Sequence, residues 1–181
     1  MPRITPISSR EQVAEEHRHV ADAVLGVFGR IRGPFSALLH SPKLAERMLG
    51  MVVFNREDCI VEPRLRSHAI LAAVRERDSA YVWSAQVGAA RRAGVPEATI
   101  DLLRAKGDVS GLGQDERDVV NLTRQLLRTN RCDYPVFNRL LGKYGAAWMV
   151  ELVTVAHYFT VLSGVTNAFE VAVPEDGDQL P

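Results

Sequence analysis

The sequence predicts an all-α fold built as a single domain over residues 1–181. Apolar residues recur at helical spacing in one segment after another. Cap and stop signals fall between those segments, and no succession of segments alternates apolar and polar residues as a half-buried sheet would. With 46% apolar residues, the chain can bury a real core and is not a disordered composition.

Ser9 is placed to cap the first helix, with Glu11, Glu15 and Glu16 near the positive end of its dipole. Val13, Val20, Val24, Val27 and Phe28 then form one stripe, and Arg32-Gly33-Pro34 breaks the helix. A short helix is expected over 35–39. Ser41-Pro42 opens another, since proline costs nothing at a first helical turn. Residues 55–61, with Glu57, Asp58 and Cys59, read as a polar loop. Glu62-Pro63 starts a helix to about residue 77, with Leu65, Ala69, Ile70, Ala73 and Val74 inward. Asp78 or Ser79 caps the next, which Gly94 stops. Further helices are expected over 96–106, 115–128, 133–144 and 146–168, with a loop over 107–113. Residues 169–173 look extended, and 174–181 form an acidic end expected to be mobile, as is the short N-terminus.

Lys+Arg and Asp+Glu are both 22, a balance that argues against a nucleic-acid or anionic-membrane surface. Cys59 and Cys132 form neither a CxxC pair nor a Cys/His cluster, so no zinc site or thioredoxin-type redox pair is expected. His17, His19 and His40 show no metal-ligand spacing, and no glycine-rich phosphate loop or nucleophile elbow is present. No metal or other cofactor is expected. Residues 1–10 lack a signal-peptide core. The longest apolar stretch, 149–173, is interrupted by Glu151, His157, Asn167 and Glu170 and reads as a buried helix rather than a membrane span. A cytoplasmic protein is expected.

Three segments together resemble the carboxymuconolactone decarboxylase and alkylhydroperoxidase D superfamily. They are Pro34 to Ala45; Arg64-Leu65-Arg66-Ser67-His68-Ala69-Ile70-Leu71 running on to Ala80-Tyr81-Val82-Trp83 and Ala90 to Val95; and Val150-Glu151-Leu152-Val153 with His157-Tyr158-Phe159 and Asn167 to Val171. The resemblance spans about residues 34–173 and implies a helical bundle, a small-molecule pocket and assembly into trimers or hexamers. It also implies a glutamate on one helix, with a cysteine and a histidine on the next; peroxidase members add a second cysteine. This chain departs from that pattern at each position: Ser67 replaces the glutamate, Ser79 and Val82 the two cysteines, and Gln86 the histidine. A serine without an adjacent base and a valine cannot carry out thiol chemistry.

Other polar residues are candidates for the missing roles. His68 follows the lost glutamate and is either a shifted acid/base or a helix-surface or interface residue, because one position is a 100° rotation. His157, in an apolar helix, is a core histidine bonded to a carbonyl or a pocket base. Glu57 belongs to a solvated turn unless its loop folds over the pocket. Tyr81 and Trp83 are structural aromatics or pocket wall. Glu151 is expected to pair with an arginine, and Asn167 to bond backbone.

The leading expectation is a cofactor-free enzyme performing proton transfer, decarboxylation, elimination or lactone chemistry on a small organic acid or cyclic compound. Catalysis would fall to His157, Glu57 or His68, and binding to Ser67, Ser79, Tyr81, Trp83 and Gln86. The rival is a noncatalytic ligand-binding or assembly protein on the same scaffold. A thiol peroxidase with a displaced cysteine is the third reading. A homo-oligomer, trimeric or hexameric, is expected on either view.

Overall fold

The computed structural model describes residues 2–175 and 177–181. Among them are eight α-helices and no strand: α1 (Arg18–Phe28), α2 (Pro34–Leu38), α3 (Pro42–Glu57), α4 (Pro63–Glu76), α5 (Ala80–Arg92), α6 (Glu97–Arg104), α7 (Gln114–Thr129) and α8 (Tyr134–Ala168). The predicted helical class is observed. Within α8, Gly145 sits at φ 82° and ψ 173° and breaks the helix into two lengths, as the sequence indicates.

Two boundaries differ from expectation. The segment after Ser9 forms two short 3-10 turns, Arg10–Gln12 and Glu15–His17, before α1 begins. Gln12 Oε1 accepts from the backbone N–H groups of Ser8 and Ser9 at 2.7 and 2.9 Å, which closes the first turn on itself. Val13 is then extended and buried, so core packing interrupts the helix. The loop expected over 55–61 is shorter, because α3 continues through Glu57. Arg56 extends that last turn by donating to the Val27 carbonyl at 2.9 Å and stacking over the Phe28 ring at 4.8 Å.

Helix α4 is the central element. Residues 68–74 are all buried, and apolar groups on its two sides enter two cores. Ile70, Leu71 and Val74 join Val24, Phe35, Trp83, Ile100 and Phe159; Leu65, Ala69 and Ala73 join Leu122, Leu140, Trp148 and Leu152. A helix covered on both sides is apolar most of the way round, which explains the run His68 to Val74. Cys59 packs against both cores, the ordinary role of a small buried hydrophobe.

By length and composition α8 could cross a membrane. In the fold α8 instead packs against α2, α3, α4, α5 and α7. Buried Asp118 ties α7 to the start of α8 by taking both Arg139 contacts, at 2.7 and 2.8 Å, and Arg139 holds its carboxyl below the ordinary range.

Both chain ends, expected to be mobile, are held. Ile7 N–H donates to Ser36 O at 2.9 Å, and Arg3 pairs with Glu170 at 2.7 Å. Arg91 grips both oxygens of Asp178 at 2.8 Å, and Leu180 packs against the larger core.

Candidate functional site

A cavity of about 390 Å³ opens where the end of α3, the first turns of α4 and the outer side of α5 meet, with Phe159 and Leu162 of α8 as part of its floor. Helical spacing builds two of its walls. Pro63, Ser67 and Ile70 line it from α4, and Val82, Gln86 and Ala89 from α5, each set four and then three residues apart. The size falls within the ~300–1,000 Å³ usual for small-molecule sites.

The structure brings Ser67, Tyr81 and Gln86 together here, beside Val82. Ser67 Oγ donates to Pro63 O at 2.7 Å, leaving its lone pairs available. Tyr81 is largely buried. Burial raises the pKa of its phenol, and the Arg32 and Arg30 charges oppose that rise.

Five other candidates lie elsewhere. Ser79 is fully buried at the start of α5, its Oγ 3.0 Å from Thr166 Oγ1. Trp83 is fully buried on another side of α5, with the Arg104 guanidinium 5.6 Å from its ring centre. His68 faces α7 and is neither a surface residue nor part of the cavity lining. Its Nδ1 lies 2.8 Å from the Arg64 carbonyl, which can only accept, so Nδ1 carries the proton. Its Nε2 is buried without a hydrogen bond, 3.9 Å from Glu116 Oε1. Burial lowers the His68 pKa, and the Arg64 carbonyl and Glu116 offset only part of that.

His157 bonds a carbonyl, Val153 O, at 2.8 Å, but from a half-buried position on α8 rather than from the core. It does not line the cavity, and neither does Glu57, which is exposed in the last turn of α3. Glu151 accepts from the backbone N–H of Ile60 at 2.8 Å, and Asn167 donates to Arg77 O at 2.9 Å.

Sequence reasoning missed four arginines. Arg32, Arg56, Arg66 and Arg92 all line the cavity, and its lining holds no aspartate, glutamate, histidine, cysteine or lysine. None of the four makes an ion pair among the described residues, although Arg3, Arg10, Arg64, Arg75, Arg91, Arg104, Arg124, Arg128 and Arg139 do. Arg66, one residue before Ser67, was within reach of a helical-face argument; Arg32 and Arg56 arrive from other elements. A second, shallower hollow of about 410 Å³ lies across Tyr81 and Arg32, walled by both chain ends. Among the described residues, no three His, Cys, Asp or Glu side chains are grouped to hold a metal ion.

This order of helices around one pocket defines the class: an all-α protein with the AhpD-like fold. Among solved structures it is similar to the alkylhydroperoxidase AhpD core of an uncharacterized peroxidase-related protein from Ralstonia eutropha JMP134. The TM-score is 0.73 at 13% identity, over 96% of this chain and 95% of that one. No family model and no curated protein matches the chain.

Proposed function

We propose that the protein binds a small organic anion in this cavity, with the apolar body on the floor of Ile70, Val82, Phe159 and Leu162 and the charge among the arginines. One observation carries the reading: four arginines line a concave site whose lining holds no carboxylate to neutralise them. Guanidinium forks match planar and tetrahedral oxyanions and hold their charge at any physiological pH. A thiolate route lacks its thiol here, because no cysteine lines the cavity.

Ligand binding without turnover is favoured over acid/base catalysis for the same reason. A general base must reach its proton, and His157, His68 and Glu57 do not line the cavity. Tyr81 is the one lining residue, arginines aside, with a titratable side chain. With its pKa raised it stays a neutral phenol at pH 7, able to donate a hydrogen bond but not to abstract a proton. An enzyme at this site would therefore work through Tyr81 as acid, and Tyr81→Phe would abolish turnover while leaving binding.

Calorimetric titration with phenyl and octyl compounds carrying a carboxylate, sulfonate or phosphate tests the proposal. Arg66→Gln and Arg92→Gln should each weaken the best binder roughly tenfold or more, the scale of one charge-assisted hydrogen bond. Failure of every anion to bind, or equal affinity in both variants, would overturn it.

A further inference from the structure

We infer that the anionic group this cavity accepts is a phosphoryl ester, carried on an apolar body, rather than a carboxylate. The inference rests on the anion-binding reading above and narrows the ligand class. Two of the four arginines are held in place while their charge stays unneutralised. Arg56 is fixed by the Val27 carbonyl at 2.9 Å and by the Phe28 ring, and Arg66 reaches the Cys59 carbonyl at 3.5 Å. Carbonyl contacts orient a guanidinium without cancelling it, so these two form a positioned half of the site.

Arg92 approaches from the end of α5. It folds back over Gly88, its Nη1 3.5 Å from where a Cβ would stand, an ordinary contact distance. Arg32 comes from the turn between α1 and α2 and makes no hydrogen bond or ion pair among the described residues. Anchored Arg56 on α3 and Arg66 on α4 thus share the cavity lining with Arg32 and Arg92, which have no such contact.

Donor supply decides between the two oxyanions. A carboxylate offers two oxygens, about four lone-pair sites, and one negative charge. A phosphate monoester offers three terminal oxygens in a tetrahedron and about −1.5 to −2 charges at pH 7. Four guanidinium groups, the Tyr81 hydroxyl and the Gln86 amide supply more N–H and O–H donors than one carboxylate can satisfy. The tetrahedral, more highly charged group uses more of them.

Asn55 adds an independent sign. Its Oδ1 is buried without a hydrogen-bond partner, although the residue lines the cavity. A buried amide oxygen left unpaired costs on the order of 1–3 kcal/mol, so a turn of the side chain that brings it to a bound group in the cavity relieves that cost. A phosphate monoanion brings a P–OH that donates to Oδ1. After a half-turn of the amide, Nδ2 donates to a phosphoryl oxygen instead. An ionised carboxylate, like the phosphate dianion, can meet only the flipped Nδ2; the P–OH of the monoanion is the additional route.

The experiment compares matched bodies: benzoate against phenyl phosphate, octanoate against octyl phosphate, with phenol, octanol and inorganic phosphate as controls. Titrations use the full chain at constant ionic strength. At least one phosphate ester should bind tenfold or more tighter than its carboxylate partner and than inorganic phosphate. Arg56→Gln and Arg92→Gln should erase most of that margin, and Asn55→Leu should narrow it, with helical content unchanged by circular dichroism. If carboxylate and phosphate ester of one body bind alike, the phosphoryl assignment falls while the anion-binding reading stands. Inorganic phosphate binding as tightly as its esters would also overturn it, because the apolar floor would then contribute nothing. Should no anion bind, both readings fail together.

Discussion

Gly33 and Tyr81 are matched to each other. Gly33 has a φ of 63°, in the left-handed region, and caps α2. A Cβ there would fall 2.4 to 2.6 Å from the Tyr81 ring and hydroxyl, well inside contact distance. The missing side chain lets Tyr81 lie against the backbone, where it forms a wall of both hollows. Gly33→Ala combines a backbone penalty of about 1–2 kcal/mol with an overpacking penalty of about 1–3 kcal/mol. Expected outcomes are a lower denaturant midpoint and weaker anion binding, since Tyr81 must move. An unchanged midpoint would mean that the ring yields freely and that Gly33 is not structurally required. Gly33 was legible as a helix breaker beside Pro34; its partner was not, because Tyr81 is 48 positions away and their contact exists only in the folded chain.

At the scale of elements, α4 divides its work by rotation. Ser67 faces the cavity, His68 faces α7, and the two cores take the rest. A fully buried neutral histidine makes that packing sensitive to acid. The folded His68 pKa lies below its ordinary value near 6.5, so the unfolded chain binds its proton first as pH falls. Stability from this residue is therefore complete above about 6.5 and declines below it as pH approaches the lowered folded value. Glu116 faces the ring and Arg64 flanks it, and they set how far that decline extends. Urea titrations between pH 8 and 5 should show the midpoint falling, and His68→Gln should flatten the slope. A wild-type midpoint that rises on acidification would contradict the assignment.

Helix α8 shows the opposite balance. Val150 and Val161 are more than half exposed, and with Thr154 and His157 they lie on one outer face, all within about 60° around the axis. We propose this face, apolar at Val150 and Val161, as the contact surface of a homo-oligomer. A second copy is the occupant expected from the sequence, in a closed trimer or hexamer. Light scattering should give that mass, and Val161→Asp should lower it. A single-chain mass for the wild type across salt concentrations would refute the assembly.

At the scale of the whole molecule, overall neutrality conceals a local field. Twenty-two basic and 22 acidic residues cancel in the sequence, and most arginines in the fold are neutralised by neighbours. Nine make no ion pair among the described residues, and four of those nine, Arg32, Arg56, Arg66 and Arg92, line one cavity. Net charge speaks to long-range partners such as nucleic acid; it is silent about a concave patch a few ångströms across.

The sequence by itself determined most of the helices and their order. Those features follow from local rules: 3.6-residue periodicity, caps, and glycine and proline stops act over one or two turns. Residues 146–168 and the break at Gly145 were legible on that basis; Ser67, Val82 and Gln86 were pointed to by the family resemblance instead, together with Ser79, which the fold buries against Thr166. Only the tertiary structure decided which charges meet. Arg32, Arg56, Arg66 and Arg92 come from four separate stretches of chain, and nothing in their immediate neighbours marks them as a set. It also decided that His157 turns outward and that His68 is sealed against α7, because the direction of a side chain depends on which faces its helix gives to its neighbours.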